Sequence, residues 1–272
     1  MSNPLERCQQ FHRLHQSGCF VIPNPWSPGT ARVLAQLGFP ALATTSAGFA
    51  WSLGTRDNGV SLREALAHFR AIAAAVDVPV NADFEGGFAI APETLAANVA
   101  QAADTGIAGL SVEDSTGDPN APLFDFGLAV ERIRAARRAI DESGTPLVLT
   151  GRSEGFIVGR PDLQETIRRL AAYAEAGADC LYAPGLRSVA DVVAVVKAVA
   201  PKPVNVLAAS NFASVSELAA AGVRRISVGG ALARSAWTAF LASAHEIAEQ
   251  GTFSRLAASA THQEVNGLFG VD

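Results

Sequence analysis

Two acidic side chains stand between a short apolar run and a pair of glycines in the first third of the chain. The run at 78–80 is apolar, Asp83 and Glu85 carry the charges, and glycines occupy positions 86 and 87. A buried strand that ends in a carboxylate and is followed by conformationally free glycines indicates that the carboxylate is placed in a pocket. Acids placed two positions apart share one side of an extended segment. The alternative is an acidic loop in which one of them caps the next helix.

Polar residues also end the other predicted strands. Each group follows an apolar run: Thr44 to Gly48 with Arg56 and Asp57 beyond, Glu113 with Asp114, Arg152 with Glu154, Tyr182, Asn205, and Gly229 with Gly230. Active sites of α/β barrels are built from the carboxyl ends of the strands. We therefore expect these side chains to meet at one mouth.

Several carboxylates around one arginine indicate a metal site. Carboxylates without His or Cys suit a hard cation in oxygen coordination, Mg²⁺ or alternatively Mn²⁺. None of the five histidines falls at a predicted strand end, which argues against a zinc hydrolase. Arg152 suits the two-pronged binding of a substrate carboxylate or phosphonate, although an ion pair with Glu113 or Glu154 would explain it too. Glycines 229 and 230 suit either a phosphate or close packing.

The elements that must position these residues repeat along the chain. Gly follows a helical pattern at four places, where it suits a left-handed helix end, and Pro opens three other strands. With the apolar run at 19–22, these signals give eight predicted strands: 19–22, those after Gly38, Gly106, Gly177 and Gly222, and those at Pro79, Pro146 and Pro203. The predicted helices are 28–37, 62–76, 92–104, 128–142, 161–176, 189–199, 215–221 and 232–249.

Strict alternation of short strands with helices predicts parallel βαβ units. Eight such units within 272 residues predict an α/β protein with a single-domain (β/α)₈ barrel of the TIM type. An open, doubly wound sheet is the alternative. The predicted domain spans 1–250, and the tail at 251–272 is expected to dock on the barrel or on a neighbouring subunit.

Composition excludes several classes of partner. The chain is 49% hydrophobic with a formal net charge of −5, and its arginines are scattered, so neither nucleic acid nor a membrane surface is expected as a partner. No apolar run approaches membrane-spanning length, and the N-terminus lacks a signal-peptide pattern. The three cysteines, Cys8, Cys19 and Cys180, are isolated. We therefore expect no disulfide framework and a cytoplasmic location.

These motifs, taken together and in order, resemble the phosphoenolpyruvate mutase / isocitrate lyase superfamily over nearly the whole chain. The matching pieces are 45–48 with 52–54 and Asp57, 80–83 with Gly87, 112–114, 151–154, and Asn205. The resemblance implies a barrel that binds Mg²⁺ and a small 2-oxo acid or enolpyruvate. It implies Asp83 as a direct metal ligand, with Asp57 and Glu113 holding metal-bound waters. Thr45, Ser46 and Ala47 would line the oxyanion and carboxylate site, Arg152 would bind the substrate, and Asn205 would complete the far wall.

Two departures from the family pattern bear on the reaction. Many relatives carry Asp where this chain has Asn81, so one direct metal ligand is replaced by a neutral side chain. Carbon–carbon lyases of the family place a Cys in the loop after the strand-four acids, and phosphonomutases place a Lys and an Asn there. This chain has Ser115 to Asp125 at that position, with no Cys, Lys or His, and only Asn120 matches the mutase pattern. The Pro and Gly content of the segment suits a mobile lid.

The resemblance therefore implies a Mg²⁺-dependent enzyme acting on a small 2-oxo acid or enolpyruvate-type substrate through an enolate-like intermediate, as a lyase or decarboxylase other than isocitrate lyase. A phosphonomutase or phosphonate hydrolase is the alternative within the fold. A non-catalytic protein that binds a 2-oxo acid or dicarboxylate is the alternative of another class. Family members commonly exchange the last barrel helix between subunits. A homo-oligomer, dimer or tetramer, is therefore expected, with Trp237, Phe240 and Leu241 packed against the partner.

Overall fold

The computed structural model describes residues 3–270 of the chain. Its eight parallel strands lie in the order β1-β8-β7-β6-β5-β4-β3-β2. Beyond the ends of that ladder, the Ala43 N–H donates to the Pro23 carbonyl at 3.1 Å, and the Asn24 amide donates to the Thr44 carbonyl at 2.9 Å. The sheet therefore curves into a nearly closed barrel. The predicted (β/α)₈ fold is confirmed, and the doubly wound alternative is wrong.

Helices alternate with the strands around the outside of the barrel. The strands are β1 Phe20–Ile22, β2 Leu42–Ala43, β3 Val80–Asp83, β4 Gly109–Glu113, β5 Val148–Arg152, β6 Cys180–Tyr182, β7 Val204–Leu207 and β8 Arg225–Ser227. The helices are α1 Pro4–Leu14, α2 Pro28–Gln36, α3 Ser46–Ser52, α4 Leu62–Ala75, α5 Pro92–Ala103, α6 Phe126–Ser143, α7 Leu163–Glu175, α8 Val189–Val199, α9 Val215–Ala220, α10 Ala231–Gln250 and α11 His262–Gly267, with a 3₁₀ turn at Ser254–Ala258.

Local capping explains where the helices begin. The predicted start of α4 is confirmed, because Ser61 and Glu64 form a reciprocal capping box. The predicted start of α7 is wrong, because Asp162 is the cap and its side chain accepts from the Glu165 N–H at 3.0 Å. Pro161 therefore precedes the helix. Helix α6 likewise begins two residues earlier than predicted, after its cap Asp125.

Helix α1, which the sequence did not predict, covers the end of the barrel opposite the predicted mouth. Phe11 and Cys8 on this helix are fully buried. The Arg7 guanidinium donates to the Ala73 carbonyl at 2.7 Å, and the His12 ring lies 3.0 Å from the Pro146 carbonyl. Ala73 lies in the last turn of α4, which leads into β3, and Pro146 lies just before β5, so α1 closes the amino-terminal end of the strands.

The interior of the barrel is unusually polar and contains a buried cation. The Arg225 guanidinium donates to Asn205 Oδ1 and to Thr150 Oγ1, each at 3.0 Å, and lies 3.3 Å from His15 Nε2. Burial, followed by the charge of Arg225, lowers the pKa of His15 to about 3, so its ring is neutral and accepts. The hydrogen-bonding partners of Arg225 within residues 3–270 are therefore all uncharged.

Helix α10 is largely uncovered within the chain. Trp237, Phe240 and Leu241 are exposed, and only Ala233 and Glu246 are buried on this helix. The Glu246 carboxylate accepts from the N–H groups at 254 and 255 and so fixes the segment that follows. Near the end of the described chain, the Leu268 carbonyl accepts from Gln36 of α2 at 3.1 Å. The division at residue 250 stays a prediction. Among residues 3–270, no helix is long and apolar enough to cross a membrane.

Candidate active site

Arg152, at the end of β5, lies in contact with three carboxylates at the mouth of the barrel. Its Nη1 lies 3.2 Å from Asp83 Oδ1 and 3.1 Å from Glu113 Oε2, and its Nε donates to Glu154 Oε1. The guanidinium also faces the ring of Tyr182, 5.2 Å from its centroid. Both ion pairs suggested by the sequence are present, and the guanidinium also borders a cavity. Arg152 is therefore held by its neighbours at the point where a ligand would enter.

Adjacent parallel strands bring these groups together. Asp83 ends β3, Glu113 ends β4 and Arg152 ends β5, with Glu113 directly paired to Arg152 in the ladder. The N–H and hydroxyl of Ser46 donate to Asp83 Oδ2 at 3.0 and 2.9 Å. Both Ser46 donors are thus used to orient Asp83. Ser46 begins the short helix α3, with Thr45 as its N-cap, where the sequence indicated only a polar loop.

Two cavities open at this mouth, and we call them the inner and outer cavities. The inner cavity, of about 180 Å³, is lined by Thr45, Ser46, Ala47, Asp57, Asp83, Arg152 and Asn205 among others. The outer cavity, of about 470 Å³, lies under the lid and is lined by Glu113 among others. The structure therefore brings every predicted site residue to one of two connected spaces, with Glu113 in the outer one.

Burial dominates the electrostatics of the cluster. It raises the pKa of Glu113 well above its ordinary value and also raises the pKa of Glu154, against the opposing charge of Arg152. Burial lowers the pKa of Arg152, but the negative charges of Glu113 and Glu154 outweigh it and raise that pKa overall. Burial and the charge of Asp83 raise the pKa of Asp57. The carboxyl groups at the mouth thus outnumber the one guanidinium, that of Arg152, that contacts them.

The residues present fit a hard cation held mainly through water. No three acidic, His or Cys side chains within residues 3–270 converge as a direct ligand set. Asp83 has one oxygen oriented by Ser46, and Asp57 and Glu113 line the adjoining spaces. Mg²⁺ characteristically keeps several waters and binds through one or two carboxylates. That pattern matches the predicted roles of one direct ligand and two water-holding acids.

Glu85 differs from its predicted arrangement. Strand β3 ends at Asp83, and Glu85 has φ +48, so the alternation rule for extended segments does not extend to it. Asp83 lines the inner cavity and Glu85 the outer one. Burial, followed by the charges of Asp83 and Asp57, raises the pKa of Glu85 to about 8.

We expect the Glu85→Gln variant to be more stable than the wild type at alkaline pH when metal is removed with EDTA. The folded protein binds the Glu85 proton more tightly than the unfolded chain does. The part of the wild-type stability that depends on the Glu85 proton is therefore fully present below pH 4.5 and is lost as pH rises to about 8. Thermal unfolding at pH 5 and pH 8.5 tests this. The difference in melting temperature between the variant and the wild type should be larger at pH 8.5 than at pH 5, in favour of the variant, by at least ~2 °C. The surface variant Glu142→Gln is the control. An equal difference at both pH values would contradict the expectation.

Arg132 of α6 holds the loop that follows Asp83, and the sequence did not indicate this role. Its guanidinium is buried and donates to the carbonyls of Gly86, Ala89 and Ile90, the last at 2.7 Å. It also lies 4.2 Å from the centroid of the Phe124 ring, at the end of the lid. The loop contains two non-glycine residues with positive φ, an arrangement that persists only when its surroundings impose it. Arg132 therefore fixes the backbone that carries Glu85.

The lid is a compact loop without Cys, Lys or His. Ser115 and Leu123 form an isolated bridge, and the Thr116 N–H donates to the Pro122 carbonyl at 3.1 Å. Asn120 donates through its backbone and its amide to Asp118 Oδ1, so it is engaged within the lid. Cys180 is fully buried at the start of β6, away from the mouth as expected.

Asn24 and Arg225 at the site escaped the sequence analysis, and Gly229 and Asn205 have hydrogen-bond partners that it did not indicate. Asn24 Oδ1 accepts from the N–H groups of Val228 and Gly229 at 2.9 and 2.8 Å, so the Gly229 amide is not free for a phosphate. Asn205 lines the inner cavity as predicted, but its amide donates to Ser227. Arg225 also lines this cavity. A charged residue inside a predicted barrel strand was the one signal that could have revealed Arg225.

The chain is similar to known proteins over most of its length. A sequence profile of the family described as phosphoenolpyruvate phosphomutase matches residues 11–248. A crystal structure of a candidate lyase/mutase from Burkholderia cenocepacia J2315 is 45% identical, with a TM-score of 0.94, and covers 98% of this chain and 97% of its own. Protein Rv1998c of Mycobacterium tuberculosis is 32% identical over 80% of this chain and 81% of its own.

One similar structure contains a metal and a small acid. A phosphonopyruvate hydrolase in complex with oxalate and Mg²⁺ is 26% identical, has a TM-score of 0.84, and covers 97% of this chain and 95% of its own. This similarity extends over the barrel that carries the site.

Proposed function

Because the chain belongs to the phosphoenolpyruvate phosphomutase family, we propose that it is a Mg²⁺-dependent enzyme that acts on a small 2-oxo acid or enolpyruvate-type substrate through an enolate-like intermediate. Membership confirms the resemblance noted in the sequence and makes the chain an enzyme of the phosphoenolpyruvate mutase / isocitrate lyase superfamily. The reaction we favour breaks a carbon–carbon bond beside the substrate carbonyl, as in a lyase or decarboxylase. A cytoplasmic location is part of the proposal.

The placement of Arg152 supports this function most directly. Its guanidinium joins Asp83, Glu113 and Glu154 and borders the inner cavity, whose volume of about 180 Å³ suits a small acid. A guanidinium recognises a carboxylate through two parallel hydrogen bonds. The head of a 2-oxo acid would therefore lie between Arg152 and the cation.

Each remaining residue has a proposed task in binding or orientation. Asp83, oriented by Ser46, would hold the cation directly, while Asp57 and Glu113 would hold its waters. Mg²⁺, when bound, supplies a Lewis acid for the negative charge that develops on a substrate oxygen. Thr45, Ser46 and Ala47 would line the space for the oxygen and the carboxylate. The loop at 115–125 would exclude water when closed.

A phosphonomutase or phosphonate hydrolase is the second candidate, and the family description and the oxalate–Mg²⁺ hydrolase structure favour it. It ranks lower because a phosphoryl group carries negative charge that a lid cation would stabilise. Between Ser115 and Asp125 this chain has no Lys or Arg.

A thermal-shift screen with and without Mg²⁺, followed by product analysis, tests the proposed function. We expect 2-oxo acids and oxalate to raise the melting temperature only when Mg²⁺ is present. Product analysis by NMR then separates a lyase or decarboxylase from a phosphonate enzyme, which would release phosphate or rearrange the phosphonate. If ligands stabilise the protein but none is turned over, the protein only binds them, and the proposed catalysis is rejected.

We expect negligible cleavage of isocitrate and 2-methylisocitrate. Such a cleavage needs a positioned proton-transfer group in the lid, typically worth about 10²- to 10⁴-fold in rate. The lid offers hydroxyls, carboxylates and Asn120, while Cys180 is buried at the start of β6. Coupled assays for glyoxylate, succinate and pyruvate release measure this. Turnover at an ordinary enzymatic rate would contradict the expectation and make Asp118 and Asp125 the first positions to substitute with Asn.

We also expect a homo-oligomer in which α10 packs on a partner subunit. Trp237, Phe240 and Leu241 expose a contiguous apolar face on this helix, and burying it would release water from that surface. Light scattering at micromolar concentration should show a dimer or tetramer. The double substitution Trp237→Ser with Phe240→Ser should shift it towards the monomer, while Leu37→Ser, at a more exposed apolar position that ends α2, should not. A monomeric wild type would rule out the assembly.

A further inference from the structure

The inner and outer cavities adjoin at Arg152. Ser46, Asp57 and Arg152 line both of them. A ligand whose head lies at Arg152 therefore has two directions in which its remainder can extend. The balance of charged side chains differs between them: two arginines and two carboxylates line the inner cavity, and one arginine and five carboxylates line the outer one.

The inner direction favours an anion. Arg225 lines the inner cavity, is 3% exposed, and has only uncharged hydrogen-bonding partners within residues 3–270. Asn81 lines the same cavity and is 4% exposed, and its Oδ1 is buried without a hydrogen-bond partner in that part of the chain. A buried polar atom left unpaired is unfavourable, so these groups indicate a space meant to be filled by a polar ligand or by its water.

The outer direction disfavours an anion. Besides Asp57, this cavity is lined by four further carboxylates: Glu85, Glu113, Asp118 and Glu154. Arg152 is the only cationic side chain along its wall in residues 3–270, and it already contacts Asp83, Glu113 and Glu154. The carboxyl groups along this wall therefore outnumber its one guanidinium five to one.

The wall of the outer cavity also has an apolar part. Pro119 and Pro122 of the lid face this space together with Ile157 and Val158 of the loop after β5. A short hydrocarbon chain can contact these side chains without losing hydrogen bonds. The outer cavity thus has a volume and a wall that suit the tail of a small ligand.

We propose that the substrate places its anionic head in the inner cavity and a neutral or cationic tail in the outer cavity, and that Asp118 excludes tails with a second carboxylate or a phosphonate. This inference rests on the proposed function and narrows it to the lyase, because a decarboxylase that forms an enolate needs a second carboxylate in its substrate. Selectivity arises from repulsion, because like charges brought together in a partly desolvated space discriminate between ligands of the same shape. A 2-oxo acid with an aliphatic or aminoalkyl tail fits, and a dicarboxylic or tricarboxylic one does not.

Three oxamates of similar size but different tail charge test the proposal. N-propyloxamate has a neutral tail, N-(2-aminoethyl)oxamate a cationic one, and N-oxalylglycine an anionic one. Isothermal titration in the presence of Mg²⁺ should show the neutral and cationic ligands binding at least about tenfold more tightly than N-oxalylglycine, which is about 1.4 kcal/mol. The variant Asp118→Asn should reduce this ratio to within about threefold. The control, Glu142→Gln, removes a surface carboxylate at the far end of α6 and should leave the ratio unchanged.

Oxalate, which has no tail, distinguishes a failure of the proposed function from a failure of the tail assignment. If oxalate fails to bind with Mg²⁺, the proposed function itself is rejected. If oxalate binds but N-oxalylglycine matches or exceeds N-propyloxamate in affinity, only the tail assignment is overturned. Circular dichroism and the affinity for oxalate establish that the Asp118→Asn variant is folded. A folded Asp118→Asn variant that keeps the wild-type ratio would also overturn the role of Asp118.

Discussion

Isothermal titration of the Asp83→Ala variant should show no measurable Mg²⁺ binding, although the barrel stays folded. Asp83 is the carboxylate at the mouth whose orientation is fixed twice by Ser46, at 3.0 and 2.9 Å. The other predicted metal-site acids, Asp57 and Glu113, are assigned to metal-bound waters. Changes beyond the direct ligands typically cost about 10- to 100-fold in metal affinity, so loss of the direct ligand should exceed that range.

The control for this experiment is Asp104→Ala, which removes an exposed carboxylate at the end of α5. Its Mg²⁺ affinity should equal that of the wild type. Near-wild-type Mg²⁺ affinity in Asp83→Ala would refute the assignment of Asp83 and would move attention to Glu113 and Asp57. Circular dichroism distinguishes a lost metal site from a lost fold.

Arg152→Lys should weaken oxalate binding in the presence of Mg²⁺ by at least about 30-fold. Truncating one partner of a buried charge pair costs about 2–5 kcal/mol, and about 1.4 kcal/mol corresponds to a factor of ten. The Arg152 guanidinium reaches Asp83, Glu113 and Glu154 from one plane, and an ammonium cannot reproduce that geometry. Titration calorimetry measures the loss.

A second variant separates binding from folding. Arg152→Lys leaves Glu154 in a buried position with a poorer partner, so the double variant Arg152→Lys with Glu154→Gln should recover stability without recovering oxalate affinity. Arg134→Lys, an exposed site on α6 paired with Glu131, is the matched control. Oxalate affinity within threefold of the wild type in a folded Arg152→Lys would exclude Arg152 as the anchor of the ligand.

The fold was predictable because the residues that end its helices and begin its strands act locally. Gly38, Gly106, Gly177 and Gly222 all have positive φ, as their predicted place at helix ends requires. Such signals depend on neighbours in sequence. The positions of Asp83, Glu113 and Arg152 followed from the same pattern, because each ends a strand and parallel strands share one mouth.

What sequence analysis could not supply depends on contacts between distant segments. Arg132 and Arg225 look like ordinary charged residues, and only the packed barrel shows that carbonyl oxygens surround one and neutral side chains the other. The geometry at Glu85 was missed because a backbone with φ +48 breaks the two-residue alternation that the prediction used. Helix α3 was missed because its seven residues are too few for a periodic pattern.

The clamp at Arg132 joins parts of the chain that are far apart in sequence. One guanidinium holds the carbonyls at 86, 89 and 90 and contacts Phe124, whose own N–H donates to the Asp114 carbonyl at 2.9 Å. Neither loop can leave its place without uncovering a buried charge. The two loops and the first turns of α6 should therefore open and close as one cooperative unit, a foldon in the sense used for native-state hydrogen exchange. Transient disorder at this mouth would displace the loop after Asp83 and the fixed end of the lid together. Partly assembled sites would therefore be rarely populated.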